Sequence, residues 1–572
     1  MSGWAGPEGG TRLPGVGWLT LAVLAVWAVP LALVVAVVPY YQWDELAYGE
    51  WSRLIAATGQ FRFPSITPLT YQRPLLYAGQ GWVWRLLGEH EVLGRLLAVG
   101  FLAMLIVCVY RLGAGAVARD TRRDRGALAV VVLLAVTEVA AAAGAILTDV
   151  PVAALVAMTA ALLWTTDDGW VPNLGLTVAA VAAVLVKPTA LPALAGLAAA
   201  HALGPWRGTG TRLRRLSWLG LGTMGGLAYS VWMAATLRQS LQEFLQGAIL
   251  RGYYADLSHR VRLSQVGSFE WLGPWLCLPL LASLLYAAAY VSDRDARLSE
   301  MLPLGVAALW AAAWFAPMGA PAASLAAAVS KGWITVVLFA AVMAASSAAG
   351  ETVSRLFVLR QIVWAVPAFV SWMIYAPYEM RLLAPIWAPL VLLTTVPIAR
   401  GLAGWFRLTP LVGGFLLIAV AVLAASNARM INMDAEAVAE TVHGIGARRF
   451  LDIARVAIVS GGDATRIRRV LSPDVEPVLE ALRPRLRPGD RIFSPEGRLR
   501  YYFPGRVAQA YPTRCEDLVG YRFFVLPQIG AVRVYFIHIG VSPEPDFWSA
   551  CQRPRLHRIP AEGTAVIFEI TE

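Results

Sequence analysis

The sequence predicts a polytopic α-helical membrane protein of about thirteen spans with an α/β domain at its C-terminal end. Three observations predict it: an apolar composition, a series of span-length hydrophobic windows, and a one-sided distribution of Arg. The chain has 572 residues, 58% hydrophobic and 15% charged, with a mean hydropathy of +0.59. Soluble proteins average about 25% charged and about 45–50% apolar residues. The composition therefore excludes a disordered chain and counts against a wholly soluble enzyme. A formal charge of +11 would suggest nucleic acid in a soluble chain, but Arg and Lys of membrane proteins collect in cytoplasmic loops.

Apolar windows of about 16–22 residues, enough to cross roughly 30 Å of hydrocarbon, start near residues 18, 92, 126, 150, 175, 189, 216, 272, 302, 333, 362, 383 and 409. With the N-terminus inside, the cytoplasmic connections hold fifteen Arg: Arg111, Arg119, Arg122, Arg123 and Arg125, then Arg207, Arg212, Arg214 and Arg215, then Arg294, Arg297, Arg355, Arg360, Arg400 and Arg407. The short connections on the other face hold only Lys187, Lys331 and Arg381. This asymmetry sets the orientation, and the odd number of spans puts the C-terminus outside. The first span, residues 18 to 38, lacks a small-residue cleavage site and reads as a retained anchor.

The expected organisation is a membrane domain over residues 1–426, with outer loops at 39–91 and 236–271, followed by an extracytoplasmic α/β domain over 427–572. The tail holds 20 Arg against 17 Asp plus Glu, a balance that gives no footprint for nucleic acid. Its runs RVAIVSG, YRFFVLP, VRVYFIHIGV and TAVIFEI read as strands, and DVEPVLEALRPRL as a helix. Cys108 and Cys277 fall in spans as small hydrophobes, whereas Cys515 and Cys551 both lie in the tail. On an oxidising face these two are expected to form a disulfide. No CxxC or Cys/His spacing marks a metal site.

The first outer loop is the most informative stretch. From Asp44 the apolar positions Ala47, Trp51, Leu54 and Ile55 recur at helical spacing, with Gly59 as a stop. They describe an amphipathic helix on the membrane surface. Asp44 and Glu45 open that helix, where Asp44 serves either as its cap or as a functional carboxylate.

Several motifs then follow in order: the acidic pair after the first span, PLTYQRPLLY, a G-x-x-x-x-x-x-R-L-L helix from Gly88 to Leu97, TDVP, LVKPTALPAL, and YEMRLLAPIWAPL. As an ordered set they resemble polyprenyl-phosphate-dependent glycosyltransferases of the GT-C class, in the branch of the protein O-mannosyltransferases and the lipid A aminoarabinose transferase. The likeness covers roughly residues 20 to 400. It implies a GT-C-like fold, a multi-pass protein of a bacterial-type plasma membrane, and a reaction centre on the extracytoplasmic side. It also implies a polyprenyl-phosphate-linked sugar as donor, a cell-envelope glycan, lipid or protein as acceptor, and inversion at the sugar.

In such enzymes an Asp of the first outer loop sits at the reaction centre, which points to Asp44 with Glu45 beside it. A carboxylate there takes the proton of an attacking hydroxyl, and the phosphate is already a good leaving group. Asp149 of TDVP is placed near the site by the same likeness, although with Pro151 it also reads as a helix cap. A lipid phosphate needs cations at the outer membrane edge, and the candidates are Lys187, Arg381 and Arg73. For Lys187 and Arg381 the plainer reading is a snorkelling side chain at a helix end. His259 and Glu379 are candidates for metal or acceptor contact, and a divalent ion of unknown identity is the one cofactor implied. Glu138 falls inside the third span. Neither a Walker A loop nor a dinucleotide fingerprint is present, so no nucleotide cofactor is expected.

A transporter or flippase of a lipid-linked intermediate is the competing class. It would favour inverted repeats and buried charge at the midplane. Here the candidate groups gather instead at one predicted face.

Overall fold

Long apolar helices followed by short β-branched runs give a helical array and a small sheet. The computed structural model describes residues 13–40, 43–60, 74–115, 122–203, 209–236, 355–375, 384–431, 461, 463, 465–467, 475–495, 497–509, 515–526, 555–560 and 566–571. Helices α1 (Val16–Val37), α2 (Trp43–Thr58), α3 (Pro74–Leu87) and α4 (Glu91–Gly115) come first. Next are α5 (Arg122–Leu134), α6 (Thr137–Ala142), α7 (Asp149–Thr165), α8 (Trp170–Val186), α9 (Ala190–Ala202) and α10 (Thr209–Thr236). Then come α11 (Arg355–Tyr375), α12 (Trp387–Leu408) and α13 (Pro410–Ser426). The C-terminal part contains α14 (Glu476–Leu482), β1 (Ile492–Ser494), α15 (Leu499–Tyr502), β2 (Val507–Gln509), β3 (Phe523–Leu526), β4 (Arg555–Ile559) and β5 (Val566–Thr571).

The span windows starting near 272, 302 and 333, and nearly all of the loop 236–271, lie outside the described residues. Among the described residues, α1 and α4 are long and apolar enough to cross a membrane.

The chain forms two compact units. One comprises Met1–Ala32, Phe63–Leu76 and Leu96–Gly446; the other comprises Leu33–Arg62, Tyr77–Arg95 and Ala447–Glu572.

In the first unit small residues let helices approach closely. A Cβ at Gly222 or Gly226 of α10 would collide with Thr177, Ala180 and Val184 of α8, the small-xxx-small device of membrane helices. A Cβ at Gly196 of α9 would collide with the backbone of Trp364 in α11. Helix α1 is tied in by the Trp27 indole, which donates to the Ala424 carbonyl at 2.8 Å, and by Thr20, which donates to the Ala127 carbonyl at 3.2 Å. Trp18 and Phe415 remain 79% and 70% exposed. Bulky apolar groups on such helices suit hydrocarbon as the solvent.

In the second unit α2 ends where expected: Gly59 has a φ of +68° and its N–H reaches the Ile55 carbonyl at 2.7 Å. The burial of α2 differs from the expected surface stripe. Leu46, Tyr48, Ser52 and Ile55 are buried, while Ala47, Trp51 and Leu54 are half-buried. The reason is packing on α3, where Gly81 leaves room for the Ile55 side chain and the Ser52 carbonyl. Ser52 also donates to the Tyr77 carbonyl at 3.0 Å.

The sheet of this unit has the order β2-β1-β3-β5-β4, with β1 parallel to β2 and β3, and β5 antiparallel to β3 and β4. Strand β3 comes from YRFFVLP, β5 from TAVIFEI, and α14 from DVEPVLEALRPRL. All four residues of β3 are buried. Phe523 and Val525 join α14 in one core; Phe524 and Leu526 join Phe493 and Ile570 in the other. A central strand covered on both faces explains its unbroken apolar run. Strands β1, β2 and β4 were not read from the sequence. VRVYFIHIGV and all of RVAIVSG but its last glycine lie outside the described residues.

Candidate active site

Two buried ion pairs, one in each unit, account for three of the described candidates, Lys187, Asp149 and Glu45. In the first unit, Pro188 biases the preceding residue away from helical geometry. Lys187 accordingly ends α8 in an extended conformation. Its Nζ donates to Asp149 Oδ1 at 2.6 Å, and both side chains are nearly sealed, at 5% and 2% exposure. Asp149 sits in the first turn of α7, where the helix dipole favours an anion. The N-cap position belongs to Thr148, and the Asp149 carboxylate meets an ammonium, so the cap reading is replaced by an ion pair. TDVP and LVKP, 38 positions apart, are thus joined.

In the second unit the acidic pair separates. Glu45 is fully buried and its carboxylate lies 3.0 Å from Arg95 Nη1. The same guanidinium donates from Nε to the Val38 carbonyl at 3.0 Å and from Nη2 to the Pro39 carbonyl at 2.8 Å. Arg95 thereby fastens the chain leaving α1 to the first turn of α2, and Glu45 is engaged in that fastening. Asp44, one position earlier, remains half-buried. Of the two carboxylates, it is the more exposed.

Around this turn lies a polar network. Glu91 Oε2 accepts from the Tyr40 N–H at 2.8 Å and Oε1 from the Tyr501 hydroxyl at 2.7 Å. The Tyr40 hydroxyl donates to the Glu91 carbonyl at 3.1 Å and accepts from Gln80 Nε2 at 2.9 Å. Burial pushes the Tyr40 hydroxyl well above its ordinary range, with Arg95 opposing. Burial and the Glu91 charge do the same to Tyr501. Both phenols therefore stay protonated as donors. Arg500 grips Glu50 at 2.9 Å, Arg53 lies 4.4 Å above the Tyr501 ring, and Arg53 also pairs with Glu89. Burial raises the Glu50 carboxyl above its usual range, and Arg500 offsets part of that rise.

Arg95 was visible as the arginine of G-x-x-x-x-x-x-R-L-L, but nothing in that spacing names Glu45 as its partner. Glu91, Tyr501 and Arg500 carried no sequence signal. Arg73, His259, Glu379, Arg381 and Cys551 lie outside the described residues. Cys515 begins a short 3-10 turn, and Glu138 lies in α6 with its side chain outside the described set. Among the described residues no three His, Cys, Asp or Glu side chains group as a metal site requires.

No family model and no curated protein matches the chain. A solved structure does: ArnT from Cupriavidus metallidurans bound to undecaprenyl phosphate, with a TM-score of 0.50 and 15% identity over 96% of this chain and 97% of that one. The apo state of ArnT from the same organism gives 0.49 at 16% identity and the same coverage. The chain has the fold that the ordered motifs suggested, the GT-C-like fold of a polytopic helical membrane protein.

Proposed function

We propose that this protein is a membrane glycosyltransferase that moves a sugar from a polyprenyl-phosphate donor to a cell-envelope acceptor on the outer face, with inversion. The observation that carries the reading is likeness of fold, over almost the full length of both chains, to an enzyme crystallised with undecaprenyl phosphate. The ordered motifs and the Lys187–Asp149 pair support it.

In this reading Asp44 takes the proton from an acceptor hydroxyl as the oxygen attacks the anomeric carbon. A new C–O bond forms, the bond to the phosphate oxygen breaks on the opposite side, and the lipid phosphate leaves with the electron pair. A positioned carboxylate base contributes typically about 100-fold to 10,000-fold in rate. Lys187 supplies positive charge to the phosphate, with Arg73 and Arg381 as further cations, and Asp149 holds the ammonium in place. Glu45 acts indirectly, by keeping the first turn of α2 pinned to Arg95. Cys515 and Cys551 form a bridge in the C-terminal part, tested by non-reducing peptide mapping; two alkylatable thiols would contradict it.

The test is incubation of purified protein with labelled polyprenyl-phosphate sugars and a cell-envelope extract, followed by analysis of the anomeric configuration of the product. Transfer with inverted configuration is expected. Movement of the intact lipid-linked sugar across a vesicle membrane without transfer would favour the flippase reading instead.

A further inference from the structure

The second unit contains both α2, which carries Asp44, and α15, which lies more than 400 positions further along the chain. Three contacts join them, and a fourth ties α15 to α4. The Arg500 guanidinium donates to Glu50 Oε1 through Nη2 at 2.9 Å and Nε at 3.2 Å. The Tyr501 ring lies on Gly49, where a Cβ would fall 2.7 Å from the ring. Arg53 stacks on that ring and donates to the Tyr501 carbonyl. The Tyr501 hydroxyl reaches Glu91, one helical turn before Arg95 in α4.

These contacts and the Arg95 pair hold α2 at its start and its middle. Its first turn is pinned by Arg95 through Glu45, and its middle by Arg500 and Tyr501. Tyr502 adds a third anchor, its hydroxyl donating to the Tyr40 carbonyl at 3.1 Å. The absence of a side chain at position 49 is what admits the ring, so α2 is shaped for this contact. A helix of 16 residues has little stability alone in water. Its orientation therefore depends on these partners.

We propose that Arg500 and Tyr501 are positioning residues for the transfer reaction: through Glu50, Gly49, Arg53 and Glu91 they set the orientation of α2 and hence of Asp44. The proposal rests on the catalytic reading of Asp44, and it gives the C-terminal part of the chain a role in that chemistry. A small misplacement of a catalytic group costs rate more than ground-state binding.

The experiment compares the full-length protein with Tyr501→Phe, which keeps the ring and removes the hydroxyl, and with Arg500→Met and Arg500→Lys. Two quantities are read: backbone hydrogen exchange along α2, with α7 and α8 as internal controls, and kcat and KM for a labelled polyprenyl-phosphate sugar. Exchange along α2 is expected to quicken in Tyr501→Phe and Arg500→Met while α7 and α8 stay protected. The value of kcat is expected to fall about tenfold, the scale of one lost hydrogen bond to a charged group, with donor KM within about twofold. Arg500→Lys, which keeps the charge opposite Glu50, should recover most of both.

Unchanged exchange along α2 in both variants would overturn the proposal whatever the activity. Quickened exchange with undiminished kcat would overturn it too, because the contact would then be merely structural. Quickened exchange in the variants beside a wild-type protein that transfers no sugar would instead sink the functional reading, and the catalytic role of this contact with it.

Discussion

The Glu45–Arg95 and Asp149–Lys187 pairs are both buried and both join distant segments, yet they are built differently. Arg95 spends its planar fork on one carboxylate and two backbone carbonyls, a geometry that locks a chain crossing. Lys187 is a compact point charge at the break between α8 and α9, and its ammonium meets the Asp149 carboxylate at the start of α7. A fork saturated by its own chain has little to offer a ligand, whereas an ammonium at a helix break suits a phosphate. Under the proposed function the first pair is structural and the second serves the donor phosphate, so burial alone does not separate the two roles.

The largest expected effect tests the structural pair. Arg95→Met leaves Glu45 fully enclosed without a cation, and removing one partner of a buried pair costs about 3–5 kcal/mol. Thermal unfolding in detergent should shift accordingly. Adding Glu45→Gln should restore most of the stability, and sugar transfer along with it.

The same design at the other pair should come out differently. Lys187→Ala should weaken apparent donor affinity about tenfold or more and also destabilise the protein, because Asp149 is stranded. Adding Asp149→Asn should return stability but not donor affinity. Recovery of both would make this pair structural as well and would remove Lys187 from the phosphate site.

A smaller effect concerns pH. The Glu50 carboxyl is raised in the folded protein by burial, against the opposing Arg500 charge. A carboxyl raised on folding contributes stability that is present below its unfolded pKa and is lost as pH rises through the folded one. Glu50→Gln should therefore gain relative to wild type between about pH 4 and about pH 7. Arg500→Met should lose relative to wild type over the same interval, as the buried carboxylate ionises without its cation. Thermal melting at the two pH values checks both signs, and a pH-independent difference would contradict the burial argument.

These contrasts also mark how far the sequence can be read. Among the described residues hydropathy located the long apolar helices α1 and α4, because a bilayer solvent imposes length and apolarity together. Gly59 ended α2 as expected, since only a residue tolerant of positive φ fits there. The run YRFFVLP announced β3 because a strand buried on both faces is apolar throughout. RLHRI of β4 and the three residues of β1 were illegible, being charged or too short for a period. The acidic pair was read as one functional unit because adjacent residues look equivalent in a sequence. Their separation depends on Arg95, 50 positions later, and on which way each side chain leaves the helix. The contact of Tyr501 with Glu91, across 410 positions, has no local signature at all.

The most direct measurement is transfer of labelled sugar from undecaprenyl-phosphate donors to a cell-envelope extract, by wild-type protein and by Asp44→Asn purified side by side. The account predicts transfer by the wild type. For Asp44→Asn it predicts a turnover lower by a factor of about 100 or more, typical of a lost general base, with the melting temperature unchanged. Transfer undiminished by Asp44→Asn, or no transfer by the wild type from any donor in the panel, would contradict it.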